Sequence, residues 1–110
     1  AYHRPEAVTE ELIDILMAPA NDLGAADVFL AFTAYSSGTL PEDLLPQLSC
    51  PAIAIGGAAD PWEPIDLGRK LMNVSTVREF VALPNVGHCP QDEAPELVNP
   101  ILQRWIATSH

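Results

Sequence analysis

The chain has 110 residues, 48% of them hydrophobic, and so has the composition of one small folded domain rather than of a disordered segment. Fifteen acidic residues against five basic ones give a net charge of −10, which excludes binding to nucleic acid or to an anionic membrane by charge. No apolar run approaches the roughly 18 residues needed to span a bilayer, Cys50 and Cys89 form no metal spacing and are expected as reduced thiols, and the histidines at 3, 88 and 110 are too scattered for a zinc site.

The start, Ala1-Tyr2-His3-Arg4-Pro5, has neither an initiator Met nor a signal-peptide pattern, as expected of a processed or incomplete chain. The first 48 residues read as helical. Val8, Leu12, Ile15 and Leu16 fall on one helix face, with Thr9 as N-cap and Glu10 and Glu11 in the first turn. Pro19-Ala20-Asn21-Asp22-Leu23-Gly24 breaks that helix. A second helix is predicted over 24–35, with Val28, Phe29, Phe32 and Tyr35 on a broad apolar face, ended by Ser36-Ser37-Gly38. A short helical turn over 42–45 follows Pro41.

The texture changes at Cys50. Pro51-Ala52-Ile53-Ala54-Ile55-Gly56-Gly57 is a continuously apolar run bounded by Pro and Gly, the pattern of a strand buried on both faces in a parallel sheet. Ala58-Ala59-Asp60-Pro61-Trp62-Glu63-Pro64 is too rich in Pro to continue it, and 65–73 is a predicted helix. A second strand runs over 78–83. Pro84-Asn85-Val86-Gly87-His88-Cys89-Pro90 is a loop, and a last helix spans 95–107. Leu97, Val98, Ile101, Leu102, Trp105 and Ile106 form its apolar stripe, and Pro100 is expected to kink or restart it. Residues 50–107 thus read strand–helix–strand–helix, a parallel βαβα unit of an α/β fold. Two parallel strands make no stable sheet alone, so the unit reads as the end of a larger doubly wound sheet.

In open α/β sheets functional groups gather at the carboxyl ends of the strands. Asp60 follows the first strand and His88 the second, on the same sheet edge. Each has a plain reading, Asp60 as the starter of an Asp-Pro turn and His88 as an ordinary loop residue. Together they fit a catalytic acid and base. The carboxylate accepts the Nδ1 proton of the imidazole and steadies the imidazolium formed during reaction. The order of acid before histidine is that of a nucleophile–acid–histidine triad. No G-x-S-x-G elbow occurs to supply the nucleophile, and Ser36-Ser37-Gly38 follows a helix rather than a strand. Cys89 beside His88 reads as a packed thiol. Trp62 stands in the acid loop, where it either lines a substrate pocket or packs. Glu63 and Glu93 are alternative acids that do not directly follow a strand. Met17 and Met72 read as core.

The run Cys50-Pro51 into an apolar strand, then Gly56-Gly57-Ala58-Ala59-Asp60-Pro61-Trp62-Glu63-Pro64, resembles the acid-strand signature of α/β-hydrolases. Asn85-Val86-Gly87-His88-Cys89-Pro90-Gln91-Asp92-Glu93-Ala94-Pro95-Glu96 resembles their histidine loop. The closest likeness is to plant, algal and cyanobacterial members akin to the chlorophyll dephytylase and pheophytinase group, over about residues 41–110, with 1–40 more loosely similar to their helical lid. The resemblance implies the end of a lid over 1–48 and the C-terminal part of the hydrolase core over 49–110. It implies Asp60 as triad acid, His88 as general base, and hydrolysis of a small-molecule or lipid-like ester through a serine acyl-enzyme without a cofactor. The serine, oxyanion loop and earlier strands would belong to the missing N-terminal part of the same fold. It further suggests a chloroplast location, with a cytoplasmic one as the alternative. Two other readings stand beside it: a member with an Asp nucleophile, as in epoxide hydrolases and haloalkane dehalogenases, and a truncated, non-catalytic hydrolase-like protein.

Overall fold

The computed structural model describes residues 1–34 and 38–108. The expected extension of the second helix to Tyr35, its end at Ser36-Ser37, and His110 lie outside the described residues. Helix α1 (Glu10–Met17) opens at Thr9, whose side chain accepts a hydrogen bond from the Leu12 N–H at 3.1 Å. A 3₁₀ turn (Ala18–Asn21) built on Pro19 ends it, and helix α2 (Ala25–Thr33) follows. The short helix α3 (Pro41–Leu44) begins at its proline and passes into a 3₁₀ turn (Leu45–Gln47).

Strand β1 (Ala52–Gly57) and strand β2 (Val77–Leu83) form a two-stranded parallel sheet in which Ile55 faces Val81 and Gly57 faces Leu83. The connection is helix α4 (Ile65–Lys70), tightened at its end into a 3₁₀ turn (Leu71–Asn73), where the sequence pattern suggests one continuous helix. After β2 comes helix α5 (Pro90–Glu93), a single turn where the sequence suggests only loop, and then helix α6 (Pro95–Thr108). Pro100 does not restart α6, because one missing N–H removes one bond from a helix that packing holds elsewhere.

The two faces of the sheet are dressed differently. On one, Leu83, Val86, Ala94 and Val98 form the buried core, with Ile55, Val81, Leu97 and Ile101 packed around them. This is the first half of the apolar stripe of α6 meeting alternate strand residues, whereas Leu102 and Ile106 of that stripe stand exposed. Arg104 on α6 also grips Glu79 of β2 through two hydrogen bonds, at 2.6 and 3.1 Å. On the other face Phe80 lies against α4, so close to Gly68 that a Cβ there would come within 2.6 Å of its ring.

Strand β1 is only half-buried through most of its length, short of the full burial its sequence suggests. Its single partner among the described residues is β2, so one edge has no neighbour to cover it. The accessible surface is 8020 Å², against about 5,900 Å² expected for a compact monomer of this mass. The radius of gyration is 16.4 Å, against about 13 Å expected. Large apolar side chains stand exposed on both α1 (Ile15, Leu16, Met17) and α2 (Val28, Phe29, Leu30, Phe32). No single helix among the described residues is long and apolar enough to cross a membrane.

Candidate active site

The site is assembled where both strands end. The chain leaving β1 stays stitched to the one leaving β2: the Ala58 N–H donates to the Leu83 carbonyl at 2.8 Å and the Ala59 N–H to the Val86 carbonyl at 2.9 Å. Gly57 makes this approach possible, since a Cβ there would sit 2.0 Å from the Gly87 carbonyl oxygen. The second loop turns at Asn85, which takes the left-handed conformation (φ 56°) that Asn tolerates better than most residues. Asp60 is thereby delivered against His88.

The Asp60 carboxylate divides its work. Oδ1 accepts the N–H groups of Trp62 at 2.8 Å and Glu63 at 3.1 Å, closing the Asp-Pro turn. Oδ2 lies 2.8 Å from His88 Nδ1. The plain reading of Asp60 as a turn residue and the reading that pairs it with His88 are therefore both true, of different oxygens. The Asp60 side chain is 9% exposed and that of His88 37%. Burial alone would raise the Asp60 carboxyl, but the N–H groups of Trp62 and Glu63, with the imidazole of His88, outweigh it and hold it below its ordinary value. A bond from Nδ1 turns Nε2 to the opposite side of the ring.

Trp62 is 63% exposed and stands edge-on to the His88 ring, their centroids 4.7 Å apart. A groove of about 490 Å³ opens beside the pair, reached by Asp60 and His88 and walled by apolar side chains that include Leu40, Ile65, Leu67 and Phe80. Cys50 is exposed and Cys89 half-buried, and both are free thiols. Among the described residues no group of three potential ligands could hold a metal ion.

Two features went unread in the sequence. Glu93, weighed there only as an alternative acid, is 4% exposed and makes no hydrogen bond to His88. Its carboxylate accepts the backbone N–H groups of His3, Arg4 and Gly87. Residues 1–4, which carry no sequence signal of a role, lie along the histidine loop. The His88 N–H donates to the Ala1 carbonyl at 2.8 Å, Tyr2 Oη donates to Asp92, and Arg4 pairs with Glu96 at 2.6 Å. The one available clue was the Pro-bracketed acidic run Pro90-Gln91-Asp92-Glu93-Ala94-Pro95, a turn compact enough to aim a carboxylate backwards.

The βαβα arrangement, with loops from adjacent parallel strand ends converging on one point, is that of the C-terminal part of an α/β-hydrolase. A solved esterase from Thermogutta terrifontis shares it, with a TM-score of 0.54 and 33% sequence identity over 62% of this chain and 25% of that one. No family model matches the sequence. Two curated proteins are similar to it: the chloroplastic pheophytinase of Arabidopsis thaliana, 25% identical over 101 residues, and the uncharacterized hydrolase YugF of Bacillus subtilis, 27% identical over 97. These alignments take in 92% and 88% of this chain but 21% and 36% of the relatives, so the chain spans about a fifth to a third of their length. The chain is related to the α/β-hydrolases.

Proposed function

We propose that the chain is the C-terminal portion of a serine ester hydrolase, with Asp60 as the acid and His88 as the general base of its triad. The observation that carries this is the 2.8 Å approach of Asp60 Oδ2 to His88 Nδ1, made by a carboxylate whose other oxygen is already held by two backbone N–H groups. Such a carboxylate cannot swing away, so it fixes the ring with its proton on Nδ1 and a lone pair on Nε2. Nε2 then takes the proton from a serine hydroxyl as that oxygen attacks the ester carbonyl. Asp60 steadies the imidazolium, which returns the proton to the departing alcohol. A water repeats the sequence to free the acid. The serine and its oxyanion hole stand outside these 110 residues.

On this reading residues 1–48 are the end of a lid and 49–110 the C-terminal part of the core. The apolar groove beside His88 suits a small-molecule or lipid-like ester, and Trp62 stands against the His88 ring without lining that groove. The plant relative supports a chloroplast location and the bacterial one a cytoplasmic location. A chimera tests the proposal: the matching part of this chain replaces the corresponding quarter of the Thermogutta terrifontis esterase. The chimera should hydrolyse a p-nitrophenyl ester, and His88→Ala should abolish turnover. A folded chimera without turnover, or one indifferent to His88→Ala, overturns it.

A further inference from the structure

We infer that Glu93 is a positioning residue for His88: its buried carboxylate locks the histidine loop against residues 1–4 and thereby sets the imidazole on Asp60. The inference rests on the pairing of Asp60 with His88 described above. A carboxylate at 4% exposure is costly to bury, and Glu93 meets that cost with main-chain donors. Oε1 accepts the N–H of His3 at 2.8 Å and that of Arg4 at 2.7 Å, while Oε2 accepts the N–H of Gly87 at 2.8 Å. The guanidinium of Arg4 is engaged elsewhere, on Glu96 and the Asn85 carbonyl.

The consequence falls on the two peptide units that lead into His88. Gly87 is held through its N–H by Glu93, and the His88 N–H by the Ala1 carbonyl. The Gly87 carbonyl is wedged against Gly57, and a Cβ on Gly87 would meet Ala1 O at 2.2 Å and Glu93 Oε2 at 2.8 Å. The backbone leading into His88 therefore has one seat, with Glu93 joining it to residues 3 and 4. A displacement of about 1 Å is enough to carry a 2.8 Å hydrogen bond out of range, and misplacements of that size cost catalysis heavily.

The test reads the imidazole directly, by ¹⁵N NMR of His88 in an esterase chimera that carries all 110 residues, at a pH where the ring is neutral. In the parent His88 should be held as the Nδ1–H tautomer. Glu93→Gln turns an amide N–H₂ toward one set of main-chain donors, and should raise the Nε2–H population about tenfold, the equivalent of one lost hydrogen bond. Glu10→Gln, which alters an exposed carboxylate on α1, should leave the spectrum unchanged. Should Glu93→Gln not fold, the decision passes to Arg4→Pro set against Arg4→Ala. The pair differs chiefly in one N–H donated to Glu93, at the edge of the fold, and only the proline should shift the tautomer. A folded Glu93→Gln chain with the parental spectrum overturns the inference, as does an Arg4→Pro chain indistinguishable from Arg4→Ala. Asp60→Asn separates the two layers: if that change also leaves His88 as it was, the pairing with Asp60 fails, whereas a response to Asp60→Asn but not to Glu93→Gln removes the positioning role alone.

Discussion

Replacing Asp60 by Asn removes one charge and little else. The amide oxygen can still accept the N–H groups of Trp62 and Glu63, so the turn survives. The amide nitrogen then faces His88 Nδ1, and two donors meet unless the ring surrenders that proton to Nε2. Charges about 4 Å apart at an effective dielectric of about 20 interact by about 4 kcal/mol. The 37% exposure of His88 lets solvent screen part of this, leaving about 3 kcal/mol, or roughly a hundredfold in rate. The wrong tautomer adds to that, and in serine proteases the same change costs about 10⁴-fold altogether. A loss of kcat on the order of 10³-fold is therefore expected in the esterase chimera, with KM within about threefold and an unchanged circular dichroism spectrum. The assay is initial-rate hydrolysis of a p-nitrophenyl ester at saturation. A loss below about threefold would refute the reasoning and move the acid to another residue, Glu63 being the nearest alternative on the same loop.

The depressed Asp60 carboxyl also has a pH signature: it contributes stability that is fully present above the ordinary carboxyl value of 3.8 and is lost as pH falls through its lower folded value. Urea midpoints of parent and Asp60→Asn should thus converge on acidification into that range, and parallel curves would contradict the shift. Tyr2, hydrogen-bonded to Asp92, has its phenol pushed up to about 12, and Asp92→Asn should return it toward 10.0 in an ultraviolet titration. Gly57→Ala would drive a methyl against the Gly87 carbonyl 2.0 Å away, and should cost about 2 kcal/mol or more by denaturant unfolding while parting Asp60 from His88. The 110-residue chain by itself should show no ester turnover, and turnover abolished by a serine-directed inhibitor would reveal a nucleophile within it.

How far the sequence carries depends on where each signal resides. The two strands were legible because Ile53, Ile55, Phe80 and Val81 sit in short apolar runs closed by Pro, Gly or a turn, and the sheet edge followed from their parallel pairing. Asp60 and His88 were legible as a pair because each follows a strand end. The half-buried state of β1 was not, since a two-sided apolar run looks the same whether or not its neighbours are present. Nor was the burial of Glu93, because a charged residue in a Pro-rich loop normally faces water. The grip of residues 1–4 left no trace at all: it is made largely by the carbonyl of Ala1 and the N–H groups of His3 and Arg4, which every non-proline residue supplies.

That last feature sets which substitutions the site tolerates. A contact made through the main chain is indifferent to the side chain above it, so Ala1 and His3 can be exchanged widely at no cost to the hydrogen bonds that hold His88. Proline at positions 3 or 4 is the exception, since it deletes the N–H itself. On the other side of the clamp the tolerance is reversed. Glu93 and Gly87 each satisfy a requirement of reach or of space that no other residue type meets. Random mutagenesis of this chain should therefore find positions 1 and 3 permissive, proline at 3 apart, against an intolerant loop, with the boundary between them crossed by two hydrogen bonds to a single carboxylate.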